Sequence, residues 1–405
     1  MKRIIFINRY FFPDHAATGQ LLSDLAFHLA AAGRDVRVVT SRQRYDDALA
    51  ALPERETIKG VSIHRVPTTR FGRKATVGRA LDYASFYAAA WQALRREGEP
   101  GDLLVAMTDP PLLCLPALSA ARRRGLQLVN WFQDLYPEVA VRLGVPLVAG
   151  PAGNVLAGWR DEAVRAAVAN VVVGERMAAV LGERRAPGAG IHVIPNWCDD
   201  EDVVPVAQAE NPLRRAWGLD GRFVVGYSGN LGRGHDFATV LGAARRLRDE
   251  TRIVFLVIGG GVGFDELARR AREGGLAECF RFLPYQDRAQ LRLSLGVPDI
   301  HWLSLRPELE GLIVPSKFYG IAAAGRPVVA ITAGDGEIAT LVRQYGCGVV
   351  IAPGDDATLA GSLQHLAQDS AAVAAMGVRA RGLLDARFTR AQAFARWERL
   401  LDALD

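Results

Sequence analysis

Cysteine is scarce and dispersed. Cys114, Cys198, Cys279 and Cys347 are the only four in 405 residues, and no two of them form a CxxC pair. That spacing excludes a sequence-visible zinc ribbon and a dense disulfide framework, and it suits a reducing compartment. Long uncharged runs are missing too. The longest, Leu143 to Trp159, has 17 residues interrupted by Pro146, Pro151 and four glycines. A bilayer span needs about 20 apolar residues, so this run is too short and too broken. Met1-Lys2-Arg3 leads straight into an apolar strand without signal-peptide anatomy. A soluble, cytoplasmic protein is the expectation. No HExxH, GxSxG, Walker A loop or metal-ligand cluster occurs, so neither a metal site nor those hydrolase and nucleotidase chemistries are expected.

What is present is a globular composition, 50% apolar and 23% charged. The length suits two domains of roughly 150–200 residues. Arg3-Ile-Ile-Phe-Ile7 reads as a strand buried on both faces, Leu21 to Ala32 as a helix stopped by Gly33, and Val36-Arg-Val-Val-Thr40 as the next strand. This βαβ pattern implies a parallel sheet covered by helices. Apolar runs at Leu103–Met107, Leu126–Asn130, Asn170–Val173 and Ile191–Ile194 extend it. Pro195 to Pro205, with the acidic run Asp199-Asp200-Glu201-Asp202, reads as an exposed connector. The pattern then restarts with strands at Phe223–Tyr227, Ile253–Ile258, Asp299–Leu303, Pro327–Ile331 and Gly348–Ile351. The fold class is therefore α/β, two doubly wound parallel-sheet domains in tandem. The domains are placed at 1–198 and 199–387. The final helix, 388–405, carries Phe394, Trp397, Leu400 and Leu401 on one side.

Four segments carry candidate chemistry. The loop after the first strand ends in Thr18-Gly19 before a helix, where backbone amides and the helix dipole favour phosphate; a plain capped connection competes. Gly226-Tyr-Ser-Gly-Asn-Leu-Gly-Arg-Gly-His-Asp236 joins a strand to a helix and sets Gly229, Asn230, Arg233 and His235 together, which suits a diphosphate. A dinucleotide fingerprint would want an acidic residue about 20 positions on, where this chain has Gly259-Gly260-Gly261. Pro315-Ser316-Lys317 opens a short helix and offers a hydroxyl and an ammonium to phosphate oxygens. Asp134 follows an apolar strand among Trp131, Phe132 and Tyr136, as a base, a hydroxyl ligand or a helix cap.

Taken together, these motifs resemble the nucleotide-sugar-dependent glycosyltransferases of family 4, with the GT-B fold. The likeness lies closest to the bacterial branch that builds surface polysaccharides, fucosamine-transferase-like proteins included. It rests on Phe11-Phe-Pro-Asp-His-Ala-Ala-Thr-Gly-Gln20, Trp131-Phe-Gln-Asp-Leu-Tyr-Pro-Glu138, Ile194-Pro-Asn196, Tyr227-Ser-Gly-Asn-Leu-Gly-Arg-Gly-His235 and Val314-Pro-Ser-Lys-Phe-Tyr319. The resemblance implies two Rossmann-like domains facing across a cleft, with the last helix packing back on the first. It implies a retaining, metal-independent hexosyltransferase without cofactor, using a UDP-linked nucleotide sugar. Arg233, His235 and Lys317 would lie near the diphosphate, with Gly229, Asn230, Gly260, Ser316 and Phe318 completing the donor site. Pro284 and Tyr285 would sit near the base, and Gly19 would close over the diphosphate. Asp134, Arg233 and Lys317 would be catalytic. Two positions depart from the family pattern. Asn230 and His235 stand where an arginine and a lysine are usual, and Gly320 stands where a ribose-binding glutamate is usual. A sugar-nucleotide epimerase of the same fold, or an inactive nucleotide-sugar-binding partner subunit, are the alternatives.

Charge is uneven. Residues 1–195 hold 25 Lys/Arg against 18 Asp/Glu, whereas residues 196–405 hold 24 against 26. The surplus clusters at Arg65, Arg70, Arg73, Lys74 and Arg79, and at Arg122, Arg123 and Arg124. A one-sided basic surface suits an anionic partner. Beside Val145, Leu147, Val148 and Trp159 it points to peripheral attachment at the inner face of an anionic membrane, rather than to nucleic acid. The resemblance adds a glycan or polyprenyl-diphosphate-linked acceptor.

Overall fold

A computed structural model describes residues 2–45, 47, 51–72, 76–183 and 190–405. The chain forms two units, Met1–Pro195 with Phe394–Asp405, and Asn196–Ala393.

Unit 1 holds an eight-stranded sheet. Its strands are β1 (Ile4–Ile7), β2 (Val36–Ser41), β3 (Arg55–Ile58), β4 (Val61–Val66), β5 (Leu103–Ala106), β6 (Gln127–Phe132), β7 (Ala169–Val172) and β8 (Ile191–Val193). The spatial order is β3-β4-β2-β1-β5-β6-β7-β8. All pairings are parallel except β3 with β4. The central strands β1 and β5 are wholly buried, as their unbroken apolar runs require of a sheet covered on both faces. The β3–β4 hairpin escaped the sequence reading because Lys59-Gly60 is not a typical turn pair. Both residues have positive φ, 47° and 81°, which suits a two-residue turn.

This hairpin also corrects the reading of Arg65 as part of the one-sided basic surface. Arg65 lies in β4 with no exposed surface, ion-paired with Glu56 of β3 and donating to the Phe12 carbonyl at 2.8 Å. Arg73 and Lys74 lie outside the described residues.

The helix Arg390–Leu404 buries Phe394, Trp397, Leu400 and Leu401. Within unit 1, Trp397 packs edge-on against Trp131 at 4.7 Å, and Phe394 stacks on His28 at 4.3 Å. Arg34 pairs with Asp402 and Asp405. Among the described residues no helix is long and apolar enough to cross a membrane.

Unit 2 holds a six-stranded, all-parallel sheet in the order β11-β10-β9-β12-β13-β14. The strands are β9 (Phe223–Asn230), β10 (Ile253–Gly260), β11 (Phe280–Leu283), β12 (Ile300–Ser304), β13 (Val328–Ile331) and β14 (Gly348–Ile351). Its core gathers Val225, Tyr227, Phe255, Val257, Trp302 and Ile331 from these strands with Val240, Leu241 and Leu363 from the helices. Asp355 and Asp369 each cap a following helix by accepting a backbone N–H.

Candidate functional site

In an open parallel sheet, ligands bind beyond the carboxyl ends of the strands, where the order of connections reverses. In unit 2 that switch point lies between β9 and β12, since β10 and β11 build out on one side and β13 and β14 on the other. The loops leaving β9 and β12 are tied together there. Arg306 N–H donates to the Gly234 carbonyl at 2.9 Å, and His235 Nδ1 lies 2.6 Å from the Ser304 carbonyl.

The strand ends are glycine because backbones and a lysine approach them closely. Gly229 has φ 122°, and a Cβ there would lie 3.0 Å from Lys317 Cε. A Cβ on Gly259, at φ 133°, would lie 2.2 Å from the Gly229 carbonyl oxygen. Only glycine meets both demands, a left-handed backbone and no side chain.

Lys317 begins the helix Lys317–Ala323 and lays its stem across Gly229. Its ammonium lies 5.3 Å from the centre of the Tyr227 ring and 3.4 Å from His235 Nε2. Tyr227 is itself fixed, packed on Trp302 at 4.4 Å and donating its hydroxyl to the Asn230 carbonyl at 2.8 Å. Burial pulls the Lys317 ammonium down to about 8. Burial, with the neighbouring Lys317 charge, pulls His235 down to about 3, against the opposing pull of the Ser304 carbonyl. The imidazole is therefore neutral at physiological pH.

The other expected donor residues differ in their surroundings. Arg233 is exposed, and no hydrogen bond or ion pair to a described residue restrains it, so its guanidinium is free for an anion. Asn230 pairs with Gly260 across the β9–β10 ends, and Tyr285 lies over Gly260, where a Cβ would meet its ring at 3.1 Å. Pro284 and Tyr285 are exposed, Tyr285 by 60%. Ser316 is exposed at the residue before the Lys317 helix. Phe318 is the exception. Its ring is wholly buried, edge-on to Phe388 at 6.4 Å.

Gly320 lies inside the Lys317–Ala323 helix. Of the nearby acids, Glu308 pairs with Arg306 at 2.6 Å. Glu310 accepts from the Thr332 hydroxyl and, at 3.3 Å, from the Glu337 amide at the start of the helix Glu337–Tyr345. Both carboxylates thus have partners within unit 2. A cavity of about 470 Å³ opens beside the β9 loop, lined by Arg233, His235, Phe237, Val262, Arg270 and Arg306 among others.

In unit 1 the switch point lies between β1 and β5. Gly19 sits in the first turn of the helix Ala17–Ala31, buried against the Tyr10 backbone, where a Cβ would lie 3.2 Å from the carbonyl oxygen. Asp134 follows β6 and Asp109 follows the adjacent β5, whose Ala106 pairs with Asn130. Asp134 keeps a little surface yet lies deep among its neighbours. Burial first, and the Asp109 charge second, push its carboxyl up to about 7. Both carboxylates also raise the Tyr136 phenol, which burial has already raised. The sequence reading missed Asp109, Tyr227, Trp302 and Ser304. A carboxylate just past an apolar strand was the available signal for Asp109, the same one that marked Asp134.

Comparison with known proteins places these units. Residues 18–197 match the family described as Glycosyl transferase 4-like domain, and residues 222–369 match Glycosyl transferases group 1. The chain is similar to the putative colanic acid biosynthesis glycosyl transferase WcaI of Escherichia coli. They are 27% identical over 382 residues, covering 90% of this chain and 92% of WcaI. It is 25% identical to the probable glycosyltransferase WbjE of Pseudomonas aeruginosa over 75% of each chain. Among solved structures, sucrose-phosphate synthase of Thermosynechococcus elongatus superposes with a TM-score of 0.80 at 17% identity, covering 100% and 99% of the two chains. Anabaena HepE in complex with UDP-glucose gives 0.72 at 16% identity over the whole of both chains. These likenesses show the GT-B fold.

Proposed function

From a chain that carries a glycosyltransferase 4-like domain followed by a group 1 glycosyltransferase domain, we propose a retaining transferase that moves a hexose from a UDP-linked sugar to a glycan or lipid-linked acceptor in surface-polysaccharide synthesis. The observation that carries this reading is the switch point of unit 2. There Lys317 crosses the side-chain-free Gly229, and Arg233, exposed on the loop after β9, has no ion pair among the described residues. A leaving nucleoside diphosphate gains negative charge as the glycosidic bond breaks. A cation already fixed at that place, as Lys317 is, stabilises the transition state without reorganising. Tyr285 over Gly260 offers an aromatic face to the base. The UDP-glucose complex of HepE supports a uridine nucleotide, and the naming of the similar WcaI for colanic acid biosynthesis supports a surface-polysaccharide acceptor. The Asp134 carboxylate is assigned to the acceptor side.

Thermal shift with UDP-glucose, UDP-N-acetylglucosamine, UDP and GDP-mannose tests the reading. A ligand at 100 times its dissociation constant stabilises the native state by about 2.7 kcal/mol, a clear rise in Tm. UDP-linked sugars should give that rise. An unmoved Tm with all four would sink the proposal.

Attachment to an anionic membrane is the second part of the proposal. Trp159 is 54% exposed on the helix Pro151–Ala166, beside Val155 on the same face, and it borders a hollow of about 250 Å³ with Leu115, Leu118, Arg122 and Arg123. Not every cation of the patch is uncommitted. Arg122 pairs with Glu162 at 2.6 Å, Arg123 donates to Ser119 and covers Trp91, and Arg124 donates to the Gly98 carbonyl. Val145 and Val148 are half-buried, and the Leu147 side chain lies outside the described residues. Trp159 is therefore the main apolar anchor. The full chain should sediment with phosphatidylglycerol liposomes at low salt and less so at high salt, with Trp159→Ala reducing the bound fraction several-fold. No sedimentation with anionic liposomes at low salt would leave a soluble acceptor in place of a lipid-linked one.

A further inference from the structure

Resting on the reading of the unit 2 switch point as the diphosphate half of the site, we propose that His235 is a positioning residue. Its Nε2 lone pair, aimed by the bond from Nδ1 to the Ser304 carbonyl, holds the Lys317 ammonium in place, and the ring is not itself a cation for the phosphates.

The geometry leaves one arrangement of protons. A backbone carbonyl only accepts, so the 2.6 Å contact to Ser304 requires the proton on Nδ1. A neutral ring protonated there carries its lone pair on Nε2, and Nε2 is the atom that faces Lys317 Nζ at 3.4 Å. An imidazolium would turn an N–H toward an ammonium, setting two like charges in contact. On a second side the ammonium meets the face of the Tyr227 ring, whose π electrons favour a cation. On a third, Gly229 leaves room for the lysine stem. A four-carbon stem is otherwise free to rotate. Lone pair, ring and glycine slot together confine it.

The direction of the titrations agrees with the geometry, since the ring is held neutral and the ammonium is held charged to about pH 8. The groups that bear on the pair are Tyr227 of β9, Ser304 of β12 and, through Tyr227, Tyr285 beyond β11. The charged residues on the two flanking loops are Arg233 and Asp236 after β9 and Arg306, Glu308 and Glu310 after β12. Asp236 accepts from the Thr239 amide, Glu308 pairs with Arg306 and Glu310 accepts from the Thr332 hydroxyl. His235 thus stands at the place where the resemblance expects a lysine, and the cation is delivered instead from the start of the helix Lys317–Ala323, beyond β12.

The test uses the full chain with three substitutions. His235→Leu removes the acceptor, His235→Gln restores one near Nε2, and His235→Lys puts a second ammonium beside the first. Calorimetry with UDP-glucose, a diester whose phosphates do not titrate near neutrality, should show about 10-fold weaker binding for Leu. Binding should recover to within about 3-fold for Gln and be weakened, not improved, for Lys. A ligand-free readout accompanies it. The Lys317 ¹³Cε titration midpoint, near 8, should fall in His235→Leu and return in His235→Gln. Tighter binding in His235→Lys overturns the proposal, because a phosphate-contacting cation would behave that way. An unmoved Lys317 midpoint in His235→Leu overturns it as well. Should the wild-type chain bind neither UDP-glucose nor GDP-mannose, the diphosphate reading fails. The Lys317 titration then still decides whether His235 holds the lysine.

Discussion

Asp134→Asn is expected to lower turnover by about 100-fold or more, the scale of a lost general acid–base group. The substitution keeps the size and much of the hydrogen bonding of the side chain but removes its charge. Donor affinity should stay within error, because the cations proposed to serve the diphosphate, Lys317 and Arg233, belong to unit 2. Two features make the result readable. The Asp134 carboxyl is pushed up to about 7, chiefly by burial and then by Asp109, so the ionised form appears only as the pH passes that value. Wild-type turnover should therefore rise with pH through about 7, and the Asn variant should lack that rise. The same shift has an opposite consequence for stability. A carboxyl whose pKa is higher in the folded state than the unfolded value of about 3.9 favours folding below that value. That contribution is lost as the pH rises through the folded value near 7. Above pH 7 the Asn variant should melt no lower than the wild type, and its Tm should vary less between pH 5 and pH 8. Loss of turnover with an undiminished Tm identifies a chemical role. Near-normal turnover would assign Asp134 to local structure, where it serves as a turn or helix-start residue.

Lys317→Ala should weaken nucleotide-sugar binding about 10–100-fold. Hydrogen bonds to charged groups contribute about 1.5–3 kcal/mol each, and 1.4 kcal/mol is a factor of ten in affinity. The loss should be largest below pH 8, where the wild-type ammonium is charged, and should shrink as the pH rises beyond it. Removing the lysine leaves a gap over Gly229 and frees His235 from a neighbouring cation, so the fold should survive. An intact melting transition checks that point. Unchanged calorimetric affinity in Lys317→Ala, with the fold intact, would be fatal to placing the diphosphate at this switch point. Arg233, exposed and unrestrained, would then be the cation to test next.

The elements that sequence made legible are those whose signal is local. Uninterrupted apolar runs marked β1, β5, β9 and β10, because a parallel strand covered on both faces has no polar side to show. The 3.6-residue spacing of Phe394, Trp397, Leu400 and Leu401 marked the buried side of the last helix. Glycine and cation spacing in Tyr227–His235 and Pro315–Lys317 marked the two halves of the candidate site, since each half is one loop or one helix start. The β3–β4 hairpin was not legible, and neither was the burial of Arg65. Its partner Glu56 sits on the adjoining strand, and charge in a sequence window cannot show a pairing across a hairpin.

Roles set by distant neighbours were decided only in three dimensions. Composition counts His235 among the potential cations. Burial and the charge of Lys317, 82 residues away, hold it neutral against the pull of the Ser304 carbonyl, 69 residues away. Phe318 reads as part of a phosphate motif, yet Phe388 buries its ring. Glu310 stands near the motif in sequence, and in the fold it is committed to Thr332 and the Glu337 amide. The physical reason is common to all three. Hydrophobic periodicity acts over a few residues and so survives in the one-dimensional chain. A proton's position or a side chain's burial depends on which atoms the sheet order brings within a few ångströms. That sheet order, β9 beside β12 and β1 beside β5, is a property of the folded chain alone.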